Sequence, residues 1–229
     1  MLGFSKSGFK GLGFVVVTLM ALAYESKTST GILLPLLILG DIFAIIYYRK
    51  DANWKILFRL FPAMAVGVVI GVLVGNKLST ELFRQVMAAI ILLSGTMMVL
   101  IGKIPKDRIP DGKIFAIVMG LGAGFCTMVG NLAGTFSNIY FLAMQLPKRA
   151  FIGTAAWLFF FINLFKLPFH IWVWETVNLT TLTHNLYLAP FVIAGFLMGI
   201  KLIELISNAF FQKYIIVMTL LGALLILLQ

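Results

Sequence analysis

Two glycine-rich stretches of this chain carry hydroxyl and amide side chains between their glycines, and that combination could bind an anion. The first stretch is 3–13 (GFSKSGFKGLG) and the second is 124–135 (GFCTMVGNLAGT). A helix that stops there leaves unpaired N–H groups at the start of the next half-helix, where the positive dipole end also attracts anions. The side chains that can add hydrogen-bond donors are Ser5, Ser7, Thr127, Asn131, Thr135, Ser137 and Asn138.

The alternative reading of the glycines is that they only let helices pack closely, as small residues often do in membranes. A single glycine pair would favour that reading. Two matched clusters with polar residues between their glycines favour a binding site instead.

Five further polar residues lie inside apolar segments, where charges are costly and usually functional. Lys6 and Lys10 are four residues apart and share a helix face, so we expect them to serve the substrate path. Lys166 lies late in its segment and could extend its ammonium group to the interface, which makes it a weaker candidate. Asp41 and Asn163 could carry a coupling proton or hold structure together; the structural role is favoured, and both should face the interior.

Sequence motifs for enzymes and metal sites are absent, so we predict no catalytic residues, no metal and no cofactor. His170 and His184 are predicted to be interfacial rather than ligands. Trp172 and Trp174 are predicted to be headgroup anchors.

Composition indicates an all-α polytopic membrane protein. Hydrophobic residues make up 61% of the 229 and charged residues only 11%, too little polar surface to cover a water-soluble globule. We read the positive charges, most of which lie in short loops, as orienting signals in the bilayer rather than as a nucleic-acid surface. The apolar segments are approximately 11–24, 29–48, 56–76, 82–102, 114–146, 150–172, 186–206 and 208–228.

An internal repeat links the two halves of the chain. At an offset of 128 residues, the pattern Pro62-Gly67-Gly71 matches Pro190-Gly195-Gly199; at 122, Asp41 matches Asn163; and near 121, Gly3-Phe4 matches Gly124-Phe125. Each copy is predicted to be a glycine-rich broken or re-entrant helix pair followed by three transmembrane helices. The copies span 1–102 and 114–229, joined by a linker at 103–113.

Loop charges predict that the two copies are inverted. The 49–59 loop carries Arg49, Lys50, Lys55 and Arg59, whereas its counterpart, 171–187, has no Lys or Arg. Because positive loops stay inside, these loops should lie on opposite sides. We therefore expect 49–59 and the 103–113 linker to be cytoplasmic, and 171–187 and the C-terminus to be outside.

Two runs of residues strongly resemble the TauE/SafE sulfite-exporter family. They are 31–44 (GILLPLLILGDIFA) with Tyr47-Tyr48-Arg49-Lys50 and Trp54, and the second Gly-Phe element with 147–154 (PKRAFIGT). The resemblance implies a duplicated membrane fold and export of sulfite or small organosulfonates. Only Met1-Leu2 precede the first Gly-Phe element, whereas Lys113 to Gly124 lead into the second. We therefore expect the first re-entrant pair, the N-terminal hairpin, to lack its first helix.

The favoured function is a secondary transporter, most readily an exporter of sulfite or an organosulfonate, in a bacterial plasma (inner) membrane. A transporter of another small carboxylate or inorganic anion, and a membrane assembly subunit without a transport path, remain as alternatives. The expected partners are a small anionic substrate and the lipid bilayer, with no nucleic acid; a homodimer stays open. The predicted centre is Ser5, Lys6, Ser7, Lys10, Thr127, Asn131, Thr135 and Asn138, supported by Asp41, Asn163 and Lys166.

Overall fold

Helices form every regular element in the part of the chain that the computed structural model describes. That part is 1–9, 12–24, 26–83 and 112–211 with the single positions 85, 86, 89, 90, 93, 96, 213, 214 and 217, and at 14, 18, 22, 26 and 135 only the backbone is described. The helices are α1 (Leu2–Ser7), α2 (Leu12–Ala23), α3 (Ser26–Tyr48), α4 (Trp54–Gly75), α5 (Lys113–Gly130), α6 (Gly134–Ala143), α7 (Lys148–Trp172) and α8 (Leu179–Glu204).

Five stretches of the described residues are long and apolar enough to cross a membrane: Lys27–Asp51, Trp54–Gly75, Lys113–Gly130, Lys148–Trp172 and Leu179–Glu204. The helices that follow the two glycine-rich stretches are shorter than these five: α2 has 12 residues and α6 has 10. At 1.5 Å per residue they reach roughly 15–18 Å, about half of the hydrocarbon thickness. The chain is therefore a polytopic helical membrane protein that also contains half-length helices.

Both predicted helix breaks are present, although the second is narrower than expected. α1 stops at Gly8, whose φ of 136° favours glycine, and α5 stops at Asn131 in a left-handed conformation. The predicted break at Gly124 was wrong, because α5 runs through this glycine as it does through Gly120 and Gly122.

Gly124 and its repeat mate Gly3 allow two helices to approach each other closely. A methyl group on Gly124 would collide with the backbone of α4 at Met64 and Val68, and one on Gly3 would collide with α8 at Val192 and Phe196. The contacted residues differ by the repeat offset of 128. The helices that precede the two breaks, α1 and α5, therefore each pack on a long helix of the other half of the chain.

Helices α3 and α7 lie against each other and run in opposite directions. Gly31 near the start of α3 faces Thr176 after the end of α7, whereas Gly153 near the start of α7 faces the turn that follows α3. Between these ends the side chains of Asp41 and Asn163 are hydrogen-bonded. The middle of the α3–α7 contact is consequently polar.

The connection between α7 and α8 corrects two sequence predictions. It is only 173–178, because α8 begins at Leu179 behind a capping box formed by Asn178 and Thr181. His170 and Trp174, which were expected at the interface, are buried with rings 5.2 Å apart. Thr176 in this connection lies against Gly31 and also contacts the His170 ring.

Candidate functional site

A cavity of about 70 Å³ lies between the two helix breaks. Since one water needs about 10–15 Å³ of such space, the cavity has room for a compact ion of a few atoms. Apolar side chains of α2, α3 and α7 close much of its wall, including Val17, Leu33 and Phe159. Its polar lining consists of predicted site residues: Ser5, Lys6, Thr127, Asn131, Asn138 and Asn163.

The remaining predicted residues fall into three groups. Asp41 and Lys166 lie behind the lining, in contact with it. Ser7 is buried away from the cavity, and its hydroxyl donates to the Phe4 carbonyl oxygen. Lys10 and the Thr135 side chain lie outside the described residues.

Lys6 forms a buried ion pair with Asp41. The Lys6 Nζ lies 2.6 Å from the Asp41 Oδ1, and their side chains are 7% and 1% exposed. Gly40 leaves space for the lysine stem, which a methyl group there would contact at 2.8 Å. The Asp41 Oδ2 accepts a further hydrogen bond from the Asn163 amide, 2.8 Å away. Asp41 therefore faces the interior and is paired on both of its oxygens.

Lys166 is fully buried, which contradicts the expectation that it extends to the interface. Its ammonium donates to the Thr127 carbonyl oxygen at 2.8 Å and to the Asn131 Oδ1 at 2.6 Å. A weaker contact at 3.5 Å reaches the Asn163 Oδ1. The lysine thereby joins the break after α5 to the polar centre of the α3–α7 contact.

Asn131 holds the second break in place. Its φ of 56° lies in the left-handed region, which Asn tolerates better than most residues. The Asn131 Oδ1 accepts a hydrogen bond from Lys166, and the Nδ2 donates to the Thr30 carbonyl oxygen at 2.8 Å. The break is therefore tied both to α7 and to the start of α3.

The start of α6 borders the cavity through Ala133 and Gly134, and its N-cap residue, Ala133, has no side-chain acceptor for the first N–H groups. The first N–H groups of a helix have no partner within the helix, so this end favours negative charge. Gly13 in the first turn of α2 borders the same space. Asn138 also lines the cavity, and its buried Oδ1 has no hydrogen-bond partner among the described residues.

Tyr48 was missed by sequence reasoning. Its buried hydroxyl donates to the Ser7 carbonyl oxygen at 3.0 Å, where α1 ends. On its other side Tyr48 lines a second cavity of about 310 Å³, together with Lys148, Arg149 and Glu204. Asp41 and Tyr48 are seven residues apart and lie on one face of α3, and this spacing was the available signal. Tyr48 therefore links the end of α1 to the second cavity.

Interrupted helices whose breaks border a buried polar cavity, within a bundle of membrane-spanning helices, are typical of membrane transport proteins. The model of the family described as Sulfite exporter TauE/SafE matches residues 1–226, so the chain belongs to that family. The family resemblance seen in the sequence is thus confirmed. Neither a curated protein nor a solved structure matches the chain.

Proposed function

We propose that the protein is a secondary transporter that exports a small anion, sulfite or an organosulfonate, across a bacterial plasma membrane. The observation that supports this most directly is the cavity between the two breaks, where Lys6 and the uncapped start of α6 converge. Both features stabilise an anion once it has lost its water. The sulfur-containing class of substrate follows from membership of the family.

We also propose that the halves, 1–102 and 114–229, are inverted repeats joined by a cytoplasmic linker at 103–113. The opposite directions of α3 and α7 support this, because the two helices are matched in sequence. The close contacts of Gly3 with α8 and of Gly124 with α4, which match at the repeat offset, support it further. In such folds the substrate site lies near the bilayer midplane, where the halves meet, and alternating access comes from one unit rocking against the other.

Two other functions compete with this proposal. A carrier for a different carboxylate or inorganic anion would use the same cavity, since lysine and backbone N–H groups do not distinguish sulfur from carbon. A membrane assembly subunit would have no need for buried Lys6, Asp41 and Lys166 around an internal cavity, because such charges are costly to bury.

Uptake into proteoliposomes tests the transport function. We expect labelled sulfite or a labelled alkanesulfonate to enter vesicles that contain the protein, with saturation and with counterflow against unlabelled substrate. Carboxylates and inorganic anions are then added as competitors to decide between the anion classes. Vesicles that take up no anion above protein-free controls would support the assembly-subunit alternative.

Single-cysteine labelling tests the inverted arrangement. On a Cys126→Ser background, Lys55→Cys and Thr180→Cys place one thiol on each side of the predicted membrane, and both native side chains are exposed. We expect a membrane-impermeant maleimide added to intact cells to label Cys at 180 and to reach Cys at 55 only after lysis. Labelling of both thiols from the same side would exclude opposite locations for the two loops.

A further inference from the structure

Among the described residues, three buried charged residues line the cavity or lie directly behind its lining: Lys6, Lys166 and Asp41, which are 6%, 0% and 0% exposed as whole residues. This cluster holds one excess positive charge. We infer that the cavity binds a monovalent anion and rejects a divalent anion of the same size, an inference that rests on the proposed function.

The hydrogen bonds of Lys166 match an ammonium group rather than a neutral amine. An ammonium group has three N–H donors and no acceptor. Around the Lys166 Nζ stand the carbonyl oxygen and Oγ1 of Thr127, at 2.8 and 3.2 Å, and the Asn131 Oδ1 at 2.6 Å. The Thr127 hydroxyl could donate to a neutral nitrogen, but three oxygens can only accept: the Thr127 carbonyl oxygen, the Asn131 Oδ1 and the Asn163 Oδ1, which lies 3.5 Å away. A neutral amine has two N–H donors and would leave one of these three oxygens without a donor.

Two other described titratable residues near Lys166 are His170 and Lys27, and neither lines the cavity. His170 lies one turn further along α7, and its Nδ1 contacts the Thr176 Oγ1 at 2.8 Å. An imidazolium ion would need an acceptor at both nitrogens, and the buried Nε2 has no partner within the described residues. Lys27 lies over the Trp174 ring, 4.9 Å from its centroid. Lys10 lies outside the described residues, and the comparison below measures the charge of the whole site.

A monovalent anion in the cavity would neutralise the excess charge, whereas a divalent anion would leave one buried negative charge uncompensated. Uncompensated buried charges are strongly unfavourable. A second negative charge on the anion would gain an attraction to the cluster equivalent to about 100-fold in affinity, for unit charges about 6 Å apart at an effective dielectric constant of about 20. The cost of removing an ion from water rises with the square of its charge, so a divalent anion loses about four times as much hydration as a monovalent anion. Because this loss exceeds the added attraction, we expect the monovalent anion to bind about 100-fold more tightly.

The charges of the candidate substrates show which of them this preference selects. Alkanesulfonates are monovalent at every accessible pH, and sulfite is monovalent only as hydrogen sulfite, below its second ionisation near neutrality. Sulfate has the tetrahedral shape of methanesulfonate but carries two charges. The inferred ligand is thus hydrogen sulfite or a sulfonate, and not the sulfite dianion or sulfate.

Equilibrium binding to the purified full chain in detergent tests the inference without any ion gradient. We expect methanesulfonate to bind about 100-fold more tightly than sulfate at matched ionic strength, measured by thermal shift or by tryptophan fluorescence. The apparent affinity for total sulfite should fall as pH rises through its second ionisation, while that for methanesulfonate stays constant. Sulfate binding as tightly as methanesulfonate would overturn the charge inference alone. Absence of binding by every anion would overturn both this inference and the proposed function.

Charge substitution gives an independent measurement. Asp41→Asn keeps the shape of the side chain and leaves two excess positive charges, so the ratio of sulfate to methanesulfonate affinity should rise about tenfold or more. Because the ratio is taken within one variant, a loss of stability does not obscure it. Asp51→Asn is the control, since this carboxylate is 29% exposed and pairs with Arg149. An unchanged ratio in Asp41→Asn would show that the buried charge does not select the anion.

Discussion

Replacement of Lys166 by methionine is expected to weaken anion binding by roughly 10- to 150-fold, with little uptake remaining in proteoliposomes. The substitution preserves most of the side-chain volume but removes a buried charge one side chain behind the cavity. It also leaves the Thr127 carbonyl oxygen and the Asn131 Oδ1 without their donor. The lost charge sets the expected fall in affinity, since unit charges about 6–10 Å apart at an effective dielectric constant of about 20 attract by about 1.7–2.8 kcal/mol.

Lys77→Met serves as the matched control for this variant. Lys77 is an exposed residue that follows α4, where solvent screens its charge. We expect the control to bind and transport anions like the parent protein, and both variants to elute as monodisperse species in detergent. Equal effects of the two substitutions would remove Lys166 from the anion site.

Replacement of Asp41 by leucine is expected to lower the free energy of unfolding by about 3–5 kcal/mol. The substitution leaves the Lys6 ammonium buried without its carboxylate, and breaking a buried ion pair on one side has a cost of that size. It also removes the acceptor of the Asn163 amide. The measurement is an unfolding titration in mixed micelles, followed by circular dichroism or tryptophan fluorescence.

Two further variants interpret the result for Asp41. The double variant Lys6→Met/Asp41→Leu should recover most of the lost stability, because apolar pairs often replace buried ion pairs without loss. Asp51→Asn breaks the exposed contact with Arg149 and should cost about 1 kcal/mol or less. If the double variant were as unstable as the single one, Asp41 would stabilise the fold by some route other than its pairing with Lys6.

The sequence predicted the helix breaks because glycine clusters and repeat matching are local signals. It also placed Asp41 in the interior, because a carboxylate within an apolar segment needs a polar partner. Both predictions used residue type and depth in the membrane. Neither one required knowledge of which helix lies next to which.

The sequence misplaced Lys166 and His170 because depth alone does not tell which way a helix face turns. Asn163, Lys166 and His170 are spaced by three and four residues, so they form one polar stripe along α7. That stripe indicates a helix face turned towards polar protein groups rather than lipid. Distance from the segment end was the wrong criterion for Lys166.

The sequence alone could not show which glycine of α5 allows a helix contact and which one lies at the break. Gly124 and Gly130 belong to the same cluster, yet Gly124 contacts α4 inside a continuous helix and Gly130 is the last helical residue. The difference arises from the long-range contact with Met64, which local composition does not encode. The break itself depends on Asn131, whose amide bonds to Lys166 and to the Thr30 carbonyl group.

The packing of α1 on α8 has a consequence for the order in which the chain folds during synthesis. α1 ends at Ser7 and its partner begins at Leu179, roughly 170 residues later. At about 5–20 residues per second this separation corresponds to roughly 10–35 s of translation. During that interval Gly3 has no helix to pack against, so the N-terminal hairpin is among the last parts of the molecule to be completed. The α4–α5 contact joins helices that are much closer along the chain, so it can form before translation ends.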